Sequence, residues 1–101
     1  MEPRLKDKPS SKIVEKIKEP EQFKVILLND HYTTMDFVVE VLMVIFHKNI
    51  EDASKIMMDV HEKGRGIVGV YTWDIAMTKV EQVHAAAASN QFPLMCVVEP
   101  A

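Results

Sequence analysis

The chain has 101 residues, 48% of them apolar, and a formal net charge of −3. This length fits one domain with one packed core. The acidic balance argues against binding to nucleic acid or to a membrane surface, because both need a basic face. A single cysteine, Cys96, leaves no internal disulfide and fits a reducing compartment, and no apolar stretch reaches the length of a membrane span. We therefore expect a cytoplasmic protein.

The first 22 residues differ in composition from the rest of the chain. They carry many charges and three prolines but few large apolar groups. Such a segment cannot bury enough apolar surface to offset the entropy that is lost on ordering. We expect residues 1–22 to be a flexible N-terminal extension and residues 23–101 to be the folded core. The composition favours a plain solvated tail over a delivery arm.

The core opens with a strand that is followed by a helix. Residues 23–28 (FKVILL) are rich in β-formers and mostly apolar, which is typical of a central strand. Thr33 or Thr34 can cap the next helix, and Asp36 in its first turn is favourable to the helix dipole. Apolar residues then repeat at helical spacing, at Val38, Val41, Leu42 and Ile45.

The second helix is bounded by residues with strong positional preferences. Asn49 is a typical N-cap, and Gly64 is typical of the position just beyond a helix end. The inward-facing residues are predicted to be Ala53, Ile56, Met57 and Val60. The following segment, residues 66–71 (GIVGVY), is typical of a strand, in which Gly69 marks a bulge or a close backbone approach.

A third helix and a third strand complete the core. The helix is predicted to begin at Thr72 or Asp74 and to end at Asn90, and residues 94–98 (LMCVV) form the last strand. The inward-facing residues of the helix are Ala76, Val80, Val83 and Ala87. The predicted order is β-α-α-β-α-β, an α+β fold in which helices pack on one small sheet.

A short polar elbow, led by Asn29 and Asp30, joins the first strand to the first helix. Because both neighbours are apolar, the elbow places hydrogen-bonding groups at the edge of the core. On the second helix His61 follows Met57 by four residues, so their side chains share a face. A short ligand with one polar and one apolar end can dock at such a place. The pattern alone is more typical of a turn formed by Asn29 and Asp30, with His61 at the edge of the core.

Four segments occur in the same order and at the same spacing as in one known family. They are ILLNDHYTTMDFVVEVL, MMDVHEKGRGIVGVYT, DIAMTKVEQV and FPLMCVVEP. From Phe23 onward the chain resembles the ClpS family, the bacterial N-end rule adaptors of the Clp protease. The resemblance implies a three-stranded antiparallel sheet packed against three helices. It also implies a non-enzymatic adaptor without a cofactor, which binds a destabilising first residue (Leu, Phe, Tyr or Trp) of a substrate protein and delivers that protein to the AAA+ unfoldase ClpA or ClpC.

The same resemblance implies which residues form the site. Asn29 and His61 would accept hydrogen bonds from the α-amino group of the substrate, with Asp30 and His31 beside them. His61 would have to be neutral in order to present a ring-nitrogen lone pair. Met35 would act as a gate that disfavours β-branched first residues. The hydrophobic pocket would be lined by Leu28, Thr33, Met35, Val38, Met57, Val60 and Leu94.

The chain departs from the family pattern at His31. Most relatives have N-D-D-Y-T-P-M-E where this chain has N-D-H-Y-T-T-M-D, so a histidine stands where an aspartate helps to hold the cationic amine. A neutral histidine can accept one hydrogen bond but brings no negative charge, and a protonated one repels the ligand. We therefore expect weaker or narrower recognition, which falls further as the pH drops through the mid-sixes.

A second surface is implied by the same family. In relatives, an acidic residue and a lysine near the start of the third helix contact the unfoldase. The matching residues in this chain are Asp74 and Lys79.

Three alternatives remain at this point. A metal-binding domain is the first, since four histidines and a cysteine are present, but neither His-x-x-x-His nor Cys-x-x-Cys spacing occurs. An enzyme is the second, with Cys96 and His61 as the only pair to consider for nucleophile and base. Cys96 lies in an apolar strand, where a buried and inert thiol is expected. The third is a plain protein-interaction domain with no peptide pocket.

Overall fold

Six elements follow one another in the order β-α-α-β-α-β in the computed structural model, which describes residues 20–101. They are β1 (Gln22–Leu28), α1 (Met35–Val44), α2 (Ile50–Lys63), β2 (Arg65–Thr72), α3 (Trp73–Ser89) and β3 (Met95–Pro100). The predicted α+β fold, with three strands and three helices, is confirmed. Of the predicted N-terminal extension, residues 1–19 lie outside the described part, and Gln22 already belongs to β1.

The three strands form one antiparallel sheet in the order β2-β1-β3. The most apolar strand, β1, is therefore central, as its sequence predicts. Its pairing with β2 is irregular, because Val25 lies opposite Gly69 whereas Ile26 lies opposite Ile67. Val68 is the extra residue of this bulge, next to the glycine at which an irregularity was predicted.

The helices cover one face of the sheet. Alternation along β1 sends Val25 and Leu27 to that face, where they join the helix residues in one buried cluster. Helix α3 contacts all three strands, whereas α2 contacts α1 and β2. The largest fully buried side chains of the cluster are Val25, Leu27, Leu42 and Val83.

The opposite face of the sheet carries no helix residue of this cluster. Ile26 is fully buried on that face. Arg65 lies opposite Leu28 and Glu99 lies opposite Lys24, so the ion pair between Arg65 and Glu99 (3.0 Å) runs diagonally across the same face. Because both partners are well exposed to solvent, this pair contributes at most about 1 kcal/mol to stability.

The first two helices begin, and the second one ends, at residues that the sequence indicates. The Thr34 side-chain oxygen accepts a hydrogen bond from the Phe37 N–H at 3.1 Å, so Thr34 and not Thr33 caps α1. The Asn49 side chain caps α2 in the same way. Gly64 ends α2 with a φ of +89°, a left-handed conformation that glycine adopts without a steric cost.

A contact between helices completes the end of α1. The last turn of α1 contains no basic residue. Instead Lys79 of α3 donates a hydrogen bond from Nζ to the Ile45 carbonyl oxygen at 2.6 Å. A positive charge at a helix C-terminus is favourable because the carbonyl dipoles point toward it. This bond therefore fastens α3 to the end of α1.

Candidate functional site

A cavity of about 240 Å³ opens where the end of β1, the start of α1 and the last turns of α2 meet. The loop from β1 to α1 supplies most of its polar groups, and the two helices supply its apolar groups. It is lined by Asn29, Asp30, His31, Thr33, Met35, Val38, Met57, Val60 and His61.

One backbone hydrogen bond brings the two predicted amine acceptors into the same cavity. The Asn29 N–H donates to the Gly64 carbonyl oxygen at 3.0 Å, which ties the end of β1 to the end of α2. His61 lies in the last turn of α2, next to this junction. The side chains of Asn29 and His61 are both exposed. An amide oxygen and a neutral imidazole nitrogen are hydrogen-bond acceptors, so both residues can receive an N–H from a ligand.

The carboxylate of Asp30 organises the loop that forms the rim. Its Oδ1 accepts the N–H groups of Tyr32 (2.8 Å) and Thr33 (2.6 Å), and its Oδ2 accepts the Thr33 hydroxyl at 2.7 Å. Burial alone would raise the pKa of Asp30, but these hydrogen bonds and the nearby charge of His31 outweigh burial and lower that pKa below its usual value. Asp30 therefore stays ionised at neutral pH and places a negative charge beside the cavity.

His31 lines the cavity and is exposed to solvent. Among the described residues of the lining, Asp30 is the one carboxylate, and His31 and His61 bring two imidazoles to the same rim.

The interior of the cavity is apolar because two helix faces meet there. Thr34 fixes the start of α1, which places Met35 and Val38 one turn apart on the cavity side. On α2, Met57 and Val60 are spaced in the same way. The two valines are buried and the two methionines are partly exposed, so the cavity becomes more apolar with depth.

Two residues predicted for the pocket lie elsewhere. Leu94 is buried within the core cluster and is absent from the cavity lining. Leu28 is half-buried at the end of β1, opposite Met95 and Arg65, and is also absent from the lining. Alternation along β1 places Leu28 on the face of Ile26, away from the helices that build the cavity. This alternation can be read from the sequence, and it indicates that Leu28 faces away from the cavity.

Comparison with known proteins places the chain in a family. A family model described as ATP-dependent Clp protease adaptor protein ClpS matches residues 18–97, which is more than half of the chain. This chain belongs to the ClpS family. The ClpS adapter of Syntrophus aciditrophicus is 58% identical over 85 residues, which cover 84% of this chain and 79% of that relative. The ClpS adapter of Acetivibrio thermocellus is 60% identical over 83 residues, which cover 82% of this chain and 84% of that relative.

The fold comparison agrees with the sequence comparison. The structure of Agrobacterium tumefaciens ClpS2 bound to L-phenylalaninamide matches with a TM-score of 0.79 and 37% identity, and the match covers 82% of this chain and 100% of that one. The predicted membership of the ClpS family is confirmed. Since ClpS proteins are adaptors of the Clp protease and not enzymes, the prediction that this chain is no enzyme is confirmed as well.

Of the two residues predicted to contact the unfoldase, one is exposed and the other is already hydrogen-bonded within the domain. Asp74 lies exposed in the first turn of α3. Lys79 is half-buried, and its ammonium already binds the Ile45 carbonyl oxygen. The contact between Lys79 and Ile45 was not predicted, because it joins residues far apart in the sequence.

Cys96 does not pair with His61 as the enzyme alternative required. It is buried, and burial raises the pKa of its thiol to about 12. The histidine beside it is His84, whose Nε2 accepts the backbone N–H of Cys96 at 3.0 Å. Among residues 20–101, no three His, Cys, Asp or Glu side chains are grouped so that they could hold a metal ion. The helices in this range are all too short or too polar to cross a membrane.

Proposed function

We propose that this ClpS-family adaptor binds the first residue of a substrate protein in the cavity and delivers that protein to a ClpA- or ClpC-type AAA+ unfoldase. The observation that carries the proposal is the arrangement of exposed acceptors, Asn29 and His61, beside an interior formed by Val38 and Val60. The related ClpS2 was solved with L-phenylalaninamide, a molecule with a free α-amino group and an aromatic side chain.

The rim suits the amino group of such a ligand. The pKa of a free α-amino group is about 7.7–8.0, so the group is mostly cationic at neutral pH. Asn29 and neutral His61 would accept its N–H groups, and the carboxylate of Asp30 would contribute a negative charge. His31 would accept a further hydrogen bond when it is neutral. The last turn of α2 adds the partial negative charge of a helix C-terminus.

The interior suits the side chain of the same residue. An apolar cavity of about 150 Å³ already binds benzene. The present cavity, at about 240 Å³, therefore has room for the side chain of Leu or Phe. Thr33, Met35 and Met57 would contact this side chain above the buried valines. Methionine side chains adapt to aliphatic and aromatic partners alike, so the wall fits several first residues.

The energies indicate that both ends of the ligand are required. Burying a Leu or Phe side chain contributes about 1.5–3 kcal/mol, whereas a micromolar complex needs about 8 kcal/mol. Charge-assisted hydrogen bonds of about 1.5–3 kcal/mol each can supply much of the difference. A peptide without its free amine would therefore lose most of its affinity.

Fluorescence anisotropy with short labelled peptides tests the binding step. Peptides that begin with Leu, Phe, Tyr or Trp are expected to bind when the amine is free and to fail when it is acetylated. Peptides that begin with Ser, and peptides with the same Leu or Phe at an internal position, serve as controls. Equal binding of free and acetylated peptides, or binding of neither, would refute the proposed recognition.

A separate assay tests delivery. Asp74→Asn alters an exposed residue of α3 that does not line the cavity, so peptide affinity is expected to stay unchanged while degradation by the unfoldase and its protease slows. Lys79→Met is measured as a second variant. It removes the charge of Lys79 and also the hydrogen bond from Lys79 to Ile45. Its stability must be measured in parallel. Unchanged degradation with both variants would refute a role for this surface in delivery.

A further inference from the structure

Two of the six methionines in residues 20–101 line the cavity. Met35 is the first residue of α1 and is 43% exposed, and Met57 lies partly exposed on α2. We propose that these two thioethers are oxidation sites, and that their conversion to methionine sulfoxide by a peroxide weakens peptide binding. This inference rests on the proposed function of the cavity as the peptide site.

The chemistry needs only an accessible thioether and a peroxide. A sulfur lone pair attacks one oxygen of hydrogen peroxide, a sulfur–oxygen bond forms and the oxygen–oxygen bond breaks. The departing hydroxide takes the proton from the oxygen that remains on sulfur. The products are methionine sulfoxide and water, so sulfur is oxidised by two electrons and the peroxide is reduced. Methionine sulfoxide reductases reverse this change.

The thiol of the described chain does not compete for the peroxide. Cys96 is buried in β3, and burial raises the pKa of its thiol to about 12. Peroxides react with the thiolate, which is almost absent at neutral pH when the pKa is this high. The accessible thioethers are therefore the sulfur groups that react first.

Oxidation would change the cavity where the ligand's side chain docks. Met35 and Met57 line the cavity together with Val38 and Val60, whose side chains offer no hydrogen-bond donor. A sulfoxide oxygen placed there would be buried by the incoming side chain without a partner. A buried acceptor without a donor weakens binding by roughly tenfold or more. By linkage, a bound peptide should in turn protect these sulfurs from oxidation.

Other methionines provide controls within the same molecule. Met43, Met58 and Met95 are 39%, 38% and 49% exposed, which is close to the 43% of Met35, but none of them lines the cavity. Exposure alone predicts oxidation of all four residues. Only oxidation at Met35 and Met57 is expected to affect peptide binding.

The test compares a cavity variant with a matched control variant. The cavity variant carries Met35→Leu and Met57→Leu, and the control variant carries Met43→Leu and Met95→Leu. Leucine is close to methionine in volume, so both variants should fold. Each protein is treated with hydrogen peroxide, the oxidised positions are identified by mass spectrometry, and affinity for a Phe-initiated peptide is measured before and after treatment.

The expected result separates the two variants. After treatment, the wild type and the control variant lose roughly tenfold or more in affinity for the peptide. A methionine sulfoxide reductase restores this affinity. The affinity of the cavity variant changes by less than about twofold. An equal loss in the cavity variant, or full affinity of wild type after complete oxidation of Met35 and Met57, would overturn the inference. Absence of binding by the untreated wild type would instead refute the proposed function itself.

A measurement on the wild-type protein alone also tests this inference. Saturating Phe-initiated peptide is expected to slow the oxidation of Met35 and to leave the rate at Met95 unchanged. Equal rates at Met35 with and without peptide, under conditions where the peptide is bound, would place Met35 outside the binding site and overturn the inference.

Discussion

Asp30 has two tasks that can be separated by substitution. It accepts three hydrogen bonds that hold the loop, and it carries a negative charge at the cavity. Asp30→Asn keeps an oxygen for the Tyr32 and Thr33 N–H groups but removes the charge, whereas Asp30→Ala removes both. We expect Asp30→Asn to weaken peptide binding severalfold and to lower stability less than Asp30→Ala does. Asp30→Ala should also lower the free energy of unfolding by about 1–2 kcal/mol, measured by urea denaturation.

The pH dependence of this stability has a definite sign. The pKa of Asp30 is lower in the folded state than its usual value, so the ionised carboxylate stabilises the fold. This contribution is fully present above about pH 4, the usual range for aspartate, and is lost as the pH falls through the folded-state pKa. The stability difference between wild type and Asp30→Ala should therefore shrink in acid. A difference that stays constant down to about pH 2 would contradict the assignment.

His31 stands where the family resemblance leads us to expect an aspartate. We expect His31→Asp to tighten binding of free-amine peptides, because it adds a second negative charge to the rim beside Asp30. Anisotropy titrations of the wild type and of His31→Asp with the same Phe-initiated peptide check this. Equal affinities of the two proteins would show that the charge at this position does not govern binding.

At the scale of the elements, β3 depends on a side chain from α3. The Cys96 N–H donates to His84 Nε2, so His84→Ala would leave this backbone donor without a partner. We expect a loss of about 1–3 kcal/mol in the free energy of unfolding. His84→Gln is the matched control, because its amide oxygen can accept the same bond and should retain part of the stability. Equal stability of wild type and His84→Ala would contradict the role of this bond.

The elements themselves were largely predictable because their signals are local. The caps at Thr34 and Asn49 and the terminating Gly64 act within one helical turn, so the sequence around each residue specifies the helix end. The bonds from Lys79 to Ile45 and from Cys96 to His84 join different elements. No local pattern encodes such contacts, and they emerge only from the packing.

At the scale of the whole molecule, the cavity belongs to no single element. Its polar residues follow β1, one wall comes from α1 and the other from the end of α2, and the bond from Asn29 to Gly64 joins these parts. All nine lining residues were among the eleven predicted, because the elbow and the spacing of α2 are local features. Leu28 and Leu94 lie outside this lining, since the direction of each side chain depends on how the assembled elements pack.

The central claim is that the cavity recognises a free amino terminus together with its first side chain. Methionine methyl NMR tests it most directly, because Met35 and Met57 line the cavity and Met43, Met58 and Met95 do not. A peptide that begins with Phe should shift the first two signals and leave the other three unchanged, and its acetylated form should shift none. Equal shifts with the acetylated peptide, or shifts confined to methionines outside the cavity, would contradict the account.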